Sequence, residues 1–490
     1  MYHAARSVYR LVNEHVFARM APSSQIAIKR ALLGVCRRVF PGLLPDDVAA
    51  EQLVRSRPRK EVPLLLPDWA KREMEELAIE VDPSLHPARF TSNNPVTYVV
   101  PFDRALAGEV YQQLLSQLTS RFDAVLLVPW IKHGGADLGV LHHAKALTEI
   151  FGLRTLVIAT EPQPSPWASR LPAGVQFLDA GPFLARLYHS PADANAVLAR
   201  LMIQFAPRTI HVIGSRHGWE MIRLHGQAVR QSSGIFASLY CDDFDLNGCR
   251  DGYAVRYLQQ TYRWLSGIIT DNSASPRTWT EQLGIPSELF HVVPFPAPDQ
   301  RIRERTAVAG KRLLWAGRLD KQKRPDVLAR IAELLPEFDW DVHGSGVVPG
   351  HAADVSGLSG ATNVSMHGRY ERFAEIVRDD HLAFVYTSQW DGLPNVLLEA
   401  AASGLPIVAP DIGGIRDLIP AERLIAPFDD AAAYAQRIRE LASSSHLRTE
   451  YVERQWQALS GRSWSSFASA MAQVRGYGQC MDKPREACNL

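Results

Sequence analysis

From about Thr97 onward the chain alternates short apolar runs with amphipathic helical stretches, and this alternation constrains the fold more than any other feature. TYVVPF, AVLLVPW, TLVIAT, VQFLDA, TIHVIGS, IFASLYC, GIITDN and FHVVPF read as strands, with helices at 136–151 and 219–231 between them. Strands separated by helices form mostly parallel sheets, covered on both faces. A Pro- and charge-rich break, PFPAPDQRIRERTAVAG at 294–310, suits an interdomain linker. A second series follows: RLLWAG, WDVHGSG, NVSMHG, LAFVYTS, PIVAP and RLIAPF, with helices at 325–334, 372–379, 394–403 and 429–442. The expected fold class is α/β, with two Rossmann-like doubly wound domains facing across a cleft and an N-terminal helical extension. The expected boundaries are a basic helical extension at 1–90, domains at 91–300 and 301–455, and a final helix at 456–490 returning toward the first domain. Ligands of such sheets bind outside the carboxyl ends of the strands, so the cleft between the domains is the expected site.

The length of 490 residues accommodates two large domains plus extras. A net charge of +1 gives no global field for nucleic acid, which is not an expected partner. The five cysteines are scattered and form no CxxC pair, which argues against a disulfide framework or a structural zinc site and fits a reducing compartment. No apolar run approaches the roughly 18 residues needed to cross a bilayer, and MYHAARSVYRLVNEH lacks the apolar core of a signal peptide. A cytoplasmic enzyme is expected. In QIAIKRALLGVCRRV, at 25–39, Ile26, Ile28, Ala31, Leu32, Val35 and Val39 fall largely on one helical face and Lys29, Arg30, Arg37 and Arg38 lie mostly on the remainder. That pattern suits either an anionic membrane surface or packing on the first domain.

The richest segment is YTSQWDGLPNVLLEAAASGLPIVAPDIGGIRDLI at 386–419. A strand ends in the polar turn WDG, Pro394 suits a first helical turn, and the N–H groups of Leu393, Asn395 and Val396 are left free to bind an anion. Glu399 falls within the helix in apolar surroundings, where a carboxylate needs partners; a pair of sugar hydroxyls and a structural Arg are both open. Upstream, WAGRLDKQKRPD places Arg318 and Lys323 just after a strand, two cations fit to stabilise a departing diphosphate. Lys321 and Arg324 read as a solvated basic loop.

WDGLPNVLLEAAASGLPIVAPDIGG resembles the signature of the family-four group of retaining glycosyltransferases, glycosyl transferases group 1 of the GT-B fold. The resemblance implies that the acid of the turn, here Asp391 where most members carry Glu, contacts the donor sugar, and that Glu399 holds the nucleotide ribose. It implies that Gly392, Leu393, Pro394, Asn395 and Val396 meet sugar and phosphate, and that Arg318 and Lys323 bind the donor diphosphate. The 91–300 domain is then the acceptor side and 301–455 the nucleotide-sugar side. In the first domain Gly134 and Gly135 resemble the glycine loop that meets the donor phosphate. His142 and His143 after it read as a surface or packing pair. At TIHVIGSRHGWE, His211 matches the first residue of a His-x-His element but Ile213 stands at the second, leaving His217 in the loop beyond as the substitute or as a surface residue. Asp242 and Asp243 suggest a metal pair without companions, so a cleft-lining or acceptor-contacting role is preferred. Asp417 stands where a Gly-Gly-x-x-Glu element ends. The expected partners are a nucleoside-diphosphate sugar as co-substrate and a glycan or lipid-linked acceptor, with no metal and no further cofactor. An epimerase on the same fold, and a non-catalytic nucleotide-sugar-binding protein, remain alternatives.

Overall fold

The computed structural model describes residues 68–81, 86–87, 105–245, 248–298, 310–346 and 353–479, with Ser24, Ala27, Ile28 and Ala31. The chain divides into two compact units, Met1–Val99 and Val100–Leu490. In the first, Asp68–Glu80 is a helix. TYVVPF and most of the basic stretch at 25–39 lie outside the described residues; Ala27, Ile28 and Ala31 are helical and exposed.

The second unit holds two parallel sheets. Its first series comprises β1 (Ala124–Val128), β2 (Thr155–Ala159), β3 (Gln176–Asp179), β4 (Thr209–Ile213), β5 (Gly234–Ser238), β6 (Asp243–Phe244), β7 (Arg250–Asp251), β8 (Gly267–Thr270) and β9 (Phe290–Val292). Seven of these form one sheet in the order β3-β2-β1-β4-β5-β8-β9, while β6 and β7 pair as a small antiparallel ribbon. The second series comprises β10 (Arg312–Ala316), β11 (Asp339–His343), β12 (Val364–Gly368), β13 (His381–Val385) and β14 (Ile407–Val408), in the order β12-β11-β10-β13-β14.

Each strand feeds two layers because successive side chains point to opposite faces. Ala124, Leu126 and Val128 of β1 enter one core, and Val125 and Leu127 the other. Leu313 and Trp315 of β10 face the outer core of the second lobe, whereas Leu314 and Ala316 join the inner core shared with the first lobe. That shared core includes Phe384, Leu397, Phe467 and Met471, so apolar burial ties the lobes together beneath the cleft. Each fully buried side chain of this size contributes roughly 1.5–3 kcal/mol of transfer free energy.

The chain crosses between the lobes twice. It leaves the first lobe after β9 and comes back by way of the Trp464–Gln473 helix. The crossings touch where Ala297 N–H donates to the Arg462 carbonyl at 2.7 Å. Beyond that helix, Gly478 N–H donates to Thr209 Oγ1 at 3.0 Å and the Tyr477 hydroxyl lies 2.9 Å from His211 Nδ1.

Three expected elements differ. The stretch expected as one final helix at 456–490 begins inside the Ser445–Leu459 helix and continues as the separate Trp464–Gln473 helix. RLIAPF is not a strand: it makes a single bridge, Ile425 to Pro410. Pro427 lies within it and Pro410 stands opposite it, and proline withholds the N–H that a ladder requires. The expected helix at 372–379 shortens to Phe373–Ile376, because Val377 turns extended.

Candidate active site

Strand order reverses between β10 and β13 in the second sheet, and the connections leaving their carboxyl ends diverge there to form a crevice. Arg318 and Lys323 follow β10, and Tyr386 and Asp391 follow β13. Hydrogen bonds stitch the two connections together. Thr387 Oγ1 donates to the Lys323 carbonyl at 2.7 Å, Gln389 N–H to the Gln322 carbonyl at 2.9 Å, and Gln322 Nε2 to the Trp390 carbonyl at 2.8 Å. Asp320 caps the short turn Lys321–Lys323 by accepting from Lys323 N–H at 3.1 Å.

The side chains meet in an arrangement that the motifs alone do not show. Lys323 Nζ forms an ion pair with Asp391 and donates to the Tyr386 hydroxyl at 2.6 Å, and that hydroxyl in turn donates to Asp391. Lys323 and Asp391 are 11% and 17% exposed, so the pair is largely withdrawn from water. Arg318 stands beside them, 42% exposed, with Nε 3.3 Å from Asp320 and Nη2 donating to Gln322. Lys321 is exposed and Arg324 pairs with Asp326, as expected of a basic loop.

The helix after the turn is Asn395–Ala402, capped by Pro394 rather than begun by it. Leu397 N–H bonds the Pro394 carbonyl at 3.0 Å, so the N–H groups of Asn395 and Val396 precede the first bond within the helix. Glu399 reaches a cleft of about 480 Å³ lined by His133, Trp167 and Arg170 of the first lobe and by Glu371, Arg372 and Phe373 of the second. Among the described residues no cation pairs with Glu399, and burial pushes its carboxyl up to about 7.

Gly135 is the first residue of the Gly135–Lys145 helix and lies against the Asn395 helix, with Asn395 Nδ2 donating to its carbonyl at 3.4 Å. Gly134 is the N-cap, and its room is taken by its own helix: a Cβ there would sit 2.7 Å from Asp137 Oδ2. Asp137 accepts from Lys132 N–H at 2.9 Å, and burial lifts its carboxyl to about 6. The glycine loop therefore touches the second lobe at Asn395, with a carboxylate of its own beside the helix N-terminus.

His211, His217, His142 and His143 line neither this cleft nor the one described below. His217 is not in a loop. Ser215 caps the Arg216–Arg230 helix, which puts His217 in the first turn with Nδ1 3.1 Å from Asn195 Oδ1. His211 is fully buried between Tyr477 and Ser238, and burial lowers its pKa to about 3. His142 and His143 pack, with ring contacts to Phe295 and Phe467, and neither reads as a surface residue.

Asp242 is likewise occupied. Arg250 Nε donates to it at 2.6 Å and Trp279 Nε1 at 2.8 Å, whereas exposed Asp243 accepts from Phe244 N–H at 2.9 Å. Among the described residues no group of three or more His, Cys, Asp or Glu is placed to hold a metal ion. Asp242 does line a second cleft, of about 260 Å³, between Cys241, Phe244 and Ser275 of the first lobe and Gln389, Trp390 and Asp391 of the second.

The lobes also lock directly. A Cβ on Gly392 would lie 2.7 Å from the Tyr240 carbonyl, so only glycine lets the WDG turn reach the first lobe. Gly413, at φ +48°, passes so close to the Asp391 carbonyl that a Cβ would fall 1.8 Å from it. Asp417 bonds across the lobes, accepting from Ser273 N–H at 2.8 Å and from Ser273 Oγ at 2.5 Å. Asp417→Ala is expected to cost about 1–2 kcal/mol in urea unfolding, the value of a lost cap. An unchanged midpoint would show the contact to be energetically idle.

Residues 310–444 match the family described as "Glycosyl transferases group 1". A GDP-mannose-dependent alpha-mannosyltransferase of Mycobacterium tuberculosis is 30% identical over 178 residues, 34% of this chain and 43% of that protein. The O-antigen biosynthesis glycosyltransferase WbnH of Escherichia coli is 24% identical over 249 residues, 49% of this chain and 63% of that protein. The chain thus spans less than two thirds of the length of these relatives. The lipopolysaccharide outer core galactosyltransferase WaaB superposes with a TM-score of 0.51 at 14% identity, covering 72% of this chain and 98% of its own. Anabaena Alr3699/HepE in complex with UDP-glucose superposes with a TM-score of 0.52 at 15% identity, covering 72% and 98%. These two share the two-sheet fold.

Proposed function

We propose, from the premise that residues 310–444 belong to the glycosyl transferases group 1 family, that this chain is a retaining glycosyltransferase. It moves a sugar from a nucleoside-diphosphate sugar to a glycan or lipid-linked acceptor in polysaccharide synthesis. The observation that carries the reading is the crevice at the β10/β13 reversal, where Arg318, Lys323 and Asp391 converge while the Glu399 carboxyl, without an ion-pair partner among the described residues, faces the neighbouring cleft. A nucleotide whose ribose hydroxyls donate to Glu399 would run its diphosphate past the Asn395 helix N-terminus toward Arg318 and Lys323.

As the bond from the anomeric carbon to the diphosphate oxygen breaks, charge grows on that oxygen, and the two cations stabilise it more than they stabilise the ground state. The acceptor hydroxyl enters from the leaving-group face and bonds to the anomeric carbon. Its proton passes to a diphosphate oxygen, so no protein base is needed and His217 is dispensable.

The mannosyltransferase relative is named for GDP-mannose and the Anabaena structure holds UDP-glucose, so both belong in the donor panel. The deciding experiment is product analysis of that panel with and without glycan acceptors. New glycosidic product made only with acceptor supports transfer; a changed nucleotide sugar without acceptor means epimerisation, and no turnover at all means a binding protein. Activity is expected to persist in EDTA; loss restored by a divalent ion would revive Asp242 and Asp243 as ligands. Among the described residues no helix is long and apolar enough to cross a membrane. A peripheral contact with anionic lipid, proposed from the basic stretch at 25–39, is tested by vesicle flotation with and without residues 1–60.

A further inference from the structure

Lys323, Asp391 and Tyr386 close a triangle: the ammonium on the carboxylate, the ammonium on the phenol, the phenol on the carboxylate. The triangle is held rigidly. Tyr386 is 1% exposed, its N–H donates to the Val408 carbonyl at 2.9 Å, and its own carbonyl accepts from the Tyr434 hydroxyl at 3.2 Å. Lys323 is pinned through Asp320 and Thr387, and Asp391 Oδ1 also takes the Gly392 N–H at 3.2 Å. The cation assigned to the donor diphosphate is therefore already occupied by the carboxylate assigned to the donor sugar.

We infer that Tyr386 is a positioning residue that holds Asp391 on Lys323, so that the site favours an intact nucleotide sugar over the nucleoside diphosphate it releases. The inference rests on the glycosyltransferase reading above. A free nucleoside diphosphate that reaches Lys323 must displace Asp391 and offers it nothing in exchange. It leaves a largely buried carboxylate without its cation, beside a new anion, which is costly. A nucleotide sugar brings hydroxyl groups that donate to Asp391 as it turns from the lysine. The exchange is close to balanced only when the sugar is attached. After transfer the sugar is gone, Asp391 competes again for Lys323, and the diphosphate product is expelled.

Titration calorimetry with UDP, GDP, UDP-glucose and GDP-mannose tests this on the full chain and on Tyr386→Phe and Asp391→Asn. Wild type should bind one nucleotide sugar more tightly than its own nucleoside diphosphate. Asp391→Asn, which removes the competing charge, should bind that diphosphate about tenfold more tightly and lose the preference. Tyr386→Phe should move the same way by about threefold. A residue with a merely structural part would weaken both ligands alike. If wild type binds these ligands and both variants bind the diphosphate no more tightly than it does, the inference is overturned while the glycosyltransferase reading stands. If wild type binds none of the four, that reading falls and takes the inference with it. Should Tyr386→Phe fail to fold, Asp391→Asn alone decides.

Discussion

Lys323→Ala and Arg318→Ala are each expected to lower kcat about 10²–10³-fold, the usual effect of losing one electrostatic contact to charge that develops in the transition state. The two variants should differ in stability. Lys323 is buried against Asp391, so truncating it strands a carboxylate, at a cost on the order of 3 kcal/mol. Arg318 is more exposed and contacts Gln322 and Asp320, so its removal should unfold the protein much less. A double variant, Lys323→Ala with Asp391→Asn, removes the stranded charge. It should regain most of the lost thermal stability without regaining turnover. Steady-state kinetics beside thermal melts separate the two effects; turnover near wild type in either single variant would rule out the diphosphate role.

Glu399→Gln should weaken nucleotide binding about 10–100-fold, since ribose hydroxyls lose a charged acceptor. The same change should stabilise the ligand-free protein above neutrality. Burial raises the carboxyl to about 7 in the folded chain, whereas in the unfolded chain it ionises near its ordinary value of 4.5. Between those pH values the unfolded state sheds the proton first, so wild-type stability falls as pH rises through that window. Below it the two proteins should unfold alike. At pH 8 the glutamine variant should be more stable, on the order of 1–3 kcal/mol. Urea curves at pH 4.5 and 8 read this directly. A variant destabilised at pH 8, or one that binds nucleotide normally, would mean that Glu399 has a structural partner after all.

The strand–helix alternation is sufficient to read both sheets, because buried parallel strands are short apolar runs. RLIAPF is the exception. Its apolar content matches a strand, but Pro427 within it and Pro410 opposite it limit its hydrogen bonding. Arg318, Lys323, Asp391 and Glu399 were legible because one sequence-local unit, strand end to turn to helix, carries each. Tyr386 was not singled out, although it stands in the same motif. A tyrosine at the end of an apolar strand reads as core, and its hydroxyl acquires a meaning only when β10 and β13 pair and bring Lys323 beside it. His217 and Asp242 show the same limit in reverse. Their partners, Asn195 and the pair Arg250 and Trp279, come from other elements, and spacing along the chain does not reveal them. Asp417 had only a family position to recommend it, and its partner Ser273 lies 144 residues away.

The paired crossings at Ala297 and Arg462 bear on how this protein could be re-engineered. A second lobe grafted in from another protein of this fold by one junction in the 294–310 break would bring a foreign tail with it. That tail would have to supply the tyrosine that His211 bonds and the backbone N–H that Thr209 takes from Gly478. Tyr477 and Gly478 are encoded after the second lobe but complete the first. The exchangeable cassette is therefore an insert with two seams, one near Ala297 and one near Arg462, and the host keeps its own last helix.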